Sequence, residues 1–199
     1  VQVGEGGVVV DTPGSNIAVG DDGVVITEPG QNEAAAQDTQ ESYNEQVSRI
    51  ADLFDDFEDR IDDHIDRFRD DIADAKGLAG CDQDAPYLME LARMINMLED
   101  QLADGVANSL HMAYKSGPAD GILKYNLEQQ IRKIKRAADS TIDDMRPLIN
   151  YNTDFKRFAD DEFDEFEAGI EDSFEVIKAE LEYEFSDKKS EELSSDDGR

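Results

Sequence analysis

The sequence predicts a mainly α-helical protein, an antiparallel four-helix bundle or an elongated coiled-coil assembly, with a short β-repeat segment at its N-terminus. Three observations predict it. Four apolar stripes run at helical spacing, only short breaks separate them, and a 16-residue repeat of Val and Gly occupies the first 32 positions. The 199 residues and 22.2 kDa are enough for one domain with an appendage, and 39% apolar residues supply a core.

The repeat aligns VQVGEGGVVVDTPGSN with IAVGDDGVVITEPGQN. Val3 and Val19, Gly4 and Gly20, Gly7 and Gly23, Val10 and Ile26, Pro13 and Pro29, Gly14 and Gly30, Asn16 and Asn32 fall in register. Each unit reads as two short alternating runs around a Gly-bounded turn, closed by Pro-Gly, which is strand punctuation. Alternation allows Val1, Val3, Val8, Val10, Ile17, Val19, Val24 and Ile26 to share one apolar face. Four such strands are marginal in water, so this face is expected to pack on the helical part or on neighbouring copies. Residues 1–32 therefore read as an assembly segment and these eight residues as its self-association positions.

From Glu33 the composition shifts to Asp, Glu, Ala, Phe and Ile, which places a domain boundary near Asn32. The first stripe is Tyr43, Val47, Ile50, Phe54, Phe57, Ile61, Ile65, Phe68, Ile72 and Ala75, ending at Gly77. The second, entered through Asp84 as a cap and Pro86 in the first turn, is Leu88, Leu91, Ile95, Leu98, Leu102, Val106, Leu110 and Ala113. After KSGPADG a third follows with Leu123, Leu127, Ile131, Ile134, Ala138, Ile142 and Met145, and is expected to end near Pro147. The fourth is Phe155, Phe158, Phe163, Phe166, Ile170, Phe174, Ile177, Leu181 and Phe185. At roughly 30 residues each, these helices match at about 45 to 50 Å, and their short connections force an up-down-up-down course. The acidic helical body thus spans 33–186, and 187–199 reads as a polar flexible tail.

Charge excludes whole classes of function. Against 19 Lys and Arg stand 49 Asp and Glu, a net charge of -30, so phosphate-held nucleic acid is expected to be repelled. No apolar stretch approaches the roughly 20 residues that span a bilayer as a helix. The third helix is the exception to the acidity. Lys124, Arg132, Lys133, Lys135 and Arg136 face only Glu128 between residues 122 and 138, and packing beside the first and fourth helices would relieve their repulsion. The Asp-rich balance suits a saline medium, where salt screens that repulsion.

Catalytic signatures are lacking, and the chain reads as a non-enzyme. One Cys and two His cannot build the usual zinc sites, and Ile61 and Asn108 stand where a di-iron bundle carries Glu three residues before His64 and His111. The glycines at 4, 6 and 7 fail the dinucleotide spacing at Val9. Hard cations are the remaining cofactor class, with calcium the candidate and Asp21, Asp22, Asp82 and Asp84 its proposed ligands. Cys81, in the connection between the first and second helices, is the candidate for an intermolecular disulfide in an oxidising compartment. A first residue of Val rather than Met fits a processed, secreted chain. The resulting expectation is a secreted or cell-surface structural protein that self-associates into an oligomer, fibre or layer. The alternatives are a calcium- or mineral-associated acidic protein and an acidic adaptor or inhibitor of a basic partner.

Overall fold

The structure, a computed structural model, describes the backbone of residues 2–4, 7–12, 15–20, 23–27, 29–82, 84–117 and 122–186, with side chains from residue 40 onward. Backbone contacts divide the chain into two compact units, Val1–Glu45 and Gln46–Arg199. In the first, strands β1 (Gln2–Gly4), β2 (Gly7–Thr12), β3 (Ser15–Gly20) and β4 (Gly23–Thr27) form an antiparallel sheet in sequential order. Val8 is opposite Val19, Val10 opposite Ile17, and Ile17 opposite Ile26 in the Cα register. The side chains of Val1, Val3, Val8, Val10, Ile17, Val19, Val24 and Ile26, the turn acids Asp21 and Asp22, and the tail 187–199 lie outside the described residues.

Four helices follow: α1 (Pro29–Leu78), α2 (Pro86–Lys115), α3 (Leu123–Ile149) and α4 (Thr153–Glu184). Within the second unit they pack as a helical bundle around the predicted stripes. Ile50, Phe54, Phe57, Ile61, Ile65 and Phe68 of α1 are buried, as are Leu91 and Leu98 of α2, Leu127 and Met145 of α3, and Phe155, Phe163 and Phe174 of α4. Side-chain pairings give the order around the bundle. Phe57 meets Phe174 at 5.1 Å between ring centroids and Phe68 stacks on Phe166 at 4.3 Å, which joins α1 to α4. Arg69 reaches Asn96 at 2.9 Å and also Glu99, joining α1 to α2. Thr141 donates to Gln101 at 3.0 Å between α3 and α2, and Arg146 binds Glu167 at 2.6 Å between α3 and α4. Numbers rise along one helix as they fall along its neighbour in each seam that carries two or more pairings, so α1 and α4 run antiparallel, as do α3 and α4.

Helix ends follow local chemistry, with three departures from the sequence reading. The α4 N-terminus is capped by Asn152, whose side-chain oxygen accepts from Asp154 N at 2.9 Å and Phe155 N at 3.2 Å. At α2, Ala85 rather than Asp84 takes the cap position, because Asp82 Oδ1 instead accepts from Asp84 N and tightens the turn before Pro86. Pro147 lies inside α3: in the last turn few backbone bonds remain to lose, and Asn150 donates from both its backbone and its side chain to Arg146 O. Third, α3 lies between α2 and α4, so its cations serve α4 through Lys135 to Glu171 and Arg146 to Asp164, while α1 uses its own Arg49 and Arg60 toward α4. Past α1, Gly80 adopts a left-handed φ of 63° and turns the chain toward α2.

Two mid-helix glycines leave room for a side chain of a neighbouring helix. A Cβ at Gly105 would stand 2.5 Å from Ile134 Cγ1, and one at Gly169 would stand 2.5 Å from the His64 ring. Four residues beyond each, a buried serine returns its hydroxyl to the glycine carbonyl at 2.9 Å, Ser109 to Gly105 and Ser173 to Gly169. The missing side chains admit Ile134 of α3 against α2 at Gly105 and the His64 ring of α1 against α4 at Gly169. In an open helix position Gly→Ala gains up to about 1 kcal/mol; at Gly105 the collision reverses the sign. Urea unfolding of Gly105→Ala is expected to show a loss of about 1 to 3 kcal/mol, as for other overpacked cores, and a gain in stability would contradict this packing.

Candidate functional site

The seam between α1 and α4 collects most of the unusual chemistry among the described residues. Its inner side is aromatic. Phe68 contacts both Phe163 and Phe166, and Arg146 of α3 lies 4.3 Å above the Phe163 ring. Its outer side is charged and bridged at intervals. Arg49 Nε donates to the buried Glu184 at 2.9 Å, and Arg60 donates to Glu180 at 3.2 Å. Beside the Arg49 bridge an open groove of about 510 Å³ is lined by Asp52, Leu53, Ala179 and Tyr183.

A second groove of about 270 Å³ lies further along the seam, with half-buried His64 against the backbone of Gly169. Arg67 and Asp71 line it from α1, and Glu162, Glu165 and Asp172 from α4. Burial, reinforced by the Arg67 charge, holds the His64 imidazole below its ordinary range, against the opposing pull of Asp63 and Asp172. Across the seam, Asp71 raises the Glu162 carboxyl above the usual carboxylate range, with a lesser effect of burial and of Glu165 and Asp161. Asp62, on the same helix, is raised by burial first and by Glu99 of α2 second. These shifts record carboxylates crowded onto two adjacent helices.

The other sequence candidates fall elsewhere. Asp82 and Asp84 are exposed in the α1–α2 connection and engaged in its turn. Among the described residues, no group of three or more His, Cys, Asp and Glu stands close enough to hold a metal ion. Cys81 is half-buried and accepts a hydrogen bond from the Tyr87 hydroxyl at 3.2 Å. Tyr87 stacks on Tyr151 at 5.0 Å and meets Phe155 edge-on at 5.8 Å; burial and the Cys81 contact push its phenol up to about 12. His111 is exposed on α2, away from His64. No described helix is long and apolar enough to cross a membrane. The His64–Gly169 contact and the seam grooves escaped the sequence reading, although a glycine and a serine four residues apart inside strong helical stripes, in both α2 and α4, was the available signal.

No protein-family model, curated protein or solved structure matches the chain.

His64 carries a pH dependence of stability with a defined sign. A base whose folded pKa lies below its unfolded value of about 6.5 adds stability that is complete above that value and lost as pH falls through the folded one. The stability difference between the native chain and His64→Gln, measured by urea unfolding between pH 8 and 5, should therefore shift against the native chain as pH falls. A difference that stays flat would contradict the burial of His64 against α4.

Proposed function

We propose that the protein is a non-catalytic structural subunit, secreted or displayed at the cell surface, that self-associates through residues 1–32. In this reading the acidic helical bundle is the body of the subunit and is adapted to salt. The observation that carries it is the repeat. Two 16-residue units with matching Val, Gly, Pro and Asn positions encode the same strand–turn–strand pattern twice. A strand with one unpaired side accepts another chain by backbone hydrogen bonds, and β1 and β4 each pair on one side within their sheet. Identical chains joined edge to edge through different strands make a contact that does not close on itself, which supports an oligomer, fibre or layer. Val1, Val3, Val8, Val10, Ile17, Val19, Val24 and Ile26 are the packing and pairing positions of the proposal.

The body's composition supports the rest of the reading. A net charge of -30 keeps such a subunit dispersed until specific contacts form, and dissolved salt lowers the repulsion that assembly must overcome. Sedimentation equilibrium of the full chain and of residues 33–199 at equal salt separates the outcomes. The full chain should form larger assemblies than the shortened one; the same oligomeric state for both would remove the assembly role of the repeats.

A further inference from the structure

The order of helices around the bundle sorts its charge. Residues 46–78 of α1 together with α4 hold 24 Asp and Glu against 8 Lys and Arg, while α2 and α3 together hold 8 against 8. One side of the bundle is thus strongly negative and the other neutral, with its cations gathered on α3. Tyr125, Arg132 and Arg136 follow one another at seven and four residues and so share a line along α3, with Lys133 beside it. All four are exposed. Among the described residues Lys133 and Arg136 have no carboxylate within 4.0 Å, and Arg132 only reaches Glu128 at 3.8 Å. In a chain with this excess of acid, an unneutralised basic ledge carrying an exposed tyrosine is a surface without its complement.

The complement lies on a different side of the same bundle. The groove beside the Arg49 bridge has Leu53, Ala179 and Tyr183 in its lining, and Val176 lies one turn before Ala179 and Glu180 on α4. Val176 and Tyr183 are 39% and 49% exposed, which leaves apolar surface open to solvent. Asp52 lines this groove with negative charge, and the exposed Asp56 follows it one turn along α1. Ledge and groove cannot meet within one bundle, because α3 is flanked by α2 and α4 and the groove opens between α4 and α1.

We propose that the α3 ledge of one copy docks in the α1–α4 groove of a second copy, with Tyr125 on the apolar floor and Lys133 and Arg136 against Asp52 and Asp56. The occupant is a second copy because one molecule presents both halves, opposite in charge and each with exposed apolar surface. The contact is head-to-tail, so it leaves a free ledge at one end and a free groove at the other and extends into a row. At about 0.1 M salt the screening length is about 10 Å, which weakens repulsion between whole bundles more than attraction between groups in contact. This lateral contact is independent of the strand-mediated assembly proposed above.

Zero-length carbodiimide coupling of full-length chains, mixed as equal parts of ¹⁴N- and ¹⁵N-labelled protein, tests it by mass spectrometry. The native mixture should yield mixed-isotope peptides joining position 133 to position 52 or 56. The link should be lost in Lys133→Glu/Arg136→Glu alone and in Asp52→Lys/Asp56→Lys alone, and should return when those two variants are mixed, since the charges are then exchanged between partners. Absence of the link between native copies, or failure of the mixed variants to restore it, overturns the proposal. All samples retain residues 1–32, so loss of the strand reading would change none of these four comparisons, and association through strands alone would not reproduce their pattern.

Discussion

The aromatic contact between α1 and α4 is the constraint on which the bundle depends. It holds together the two helices that electrostatics would most readily separate. Phe54, Phe57 and Phe68 on one side and Phe163, Phe166 and Phe174 on the other are large, and all six are buried. Burying a phenylalanine side chain is worth about 1.5 to 3 kcal/mol, and favourable ring pairs add about 0.5 to 1.5 kcal/mol. Exposed like charges near a surface repel far less per pair in water, and salt weakens them further. Apolar burial therefore decides which helices are neighbours, and the charges adjust within that arrangement. The Glu162 carboxyl, raised chiefly by Asp71 across the seam, is the visible cost.

The cations bridge the helices at other points. Arg49 and Arg60 bridge directly from α1 to α4, Arg69 ties α1 to α2, and Lys135 and Arg146 tie α3 to α4. Arg146 also covers the Phe163 ring, so a single guanidinium bridges two carboxylates and shields the aromatic seam from water. The bundle gains a solid interior from its phenylalanines and a lattice of bridges over its acidic half. Lys133 and Arg136 of α3, which pair with no carboxylate among the described residues, are the cations used in the assembly proposed for the chain.

The helices were legible because their apolar residues recur every three or four positions without interruption, and burial follows those stripes from Val47 to Leu181. Tyr43, Ile72, Leu110, Phe158 and Phe185 are only partly covered, since a stripe marks a direction and not where the neighbouring helix begins or ends. The order of packing was not legible. Total charge argued for placing basic α3 beside both acidic helices, but the chain's short connections and the α1–α4 phenylalanines put α3 beside α2 and α4. Close approach at Gly105 and Gly169 was also hidden, because a glycine in a helix looks locally like a weakness and its value appears only opposite Ile134 or His64. Tyr87 and Cys81 lie six residues apart across a turn, a contact fixed by the conformation of Gly80 and not by any periodicity.

The most direct measurement is the unfolding free energy of the full chain in urea at about 0.02 M and about 1 M NaCl, repeated for the seam variant Asp71→Asn/Glu162→Gln. If apolar packing holds two like-charged helices against their repulsion, added salt stabilises the native chain, and the gain is smaller in the variant, whose seam has already lost two facing carboxylates. Stability that is unchanged or falls with salt, or a gain equal in both proteins, would contradict that balance.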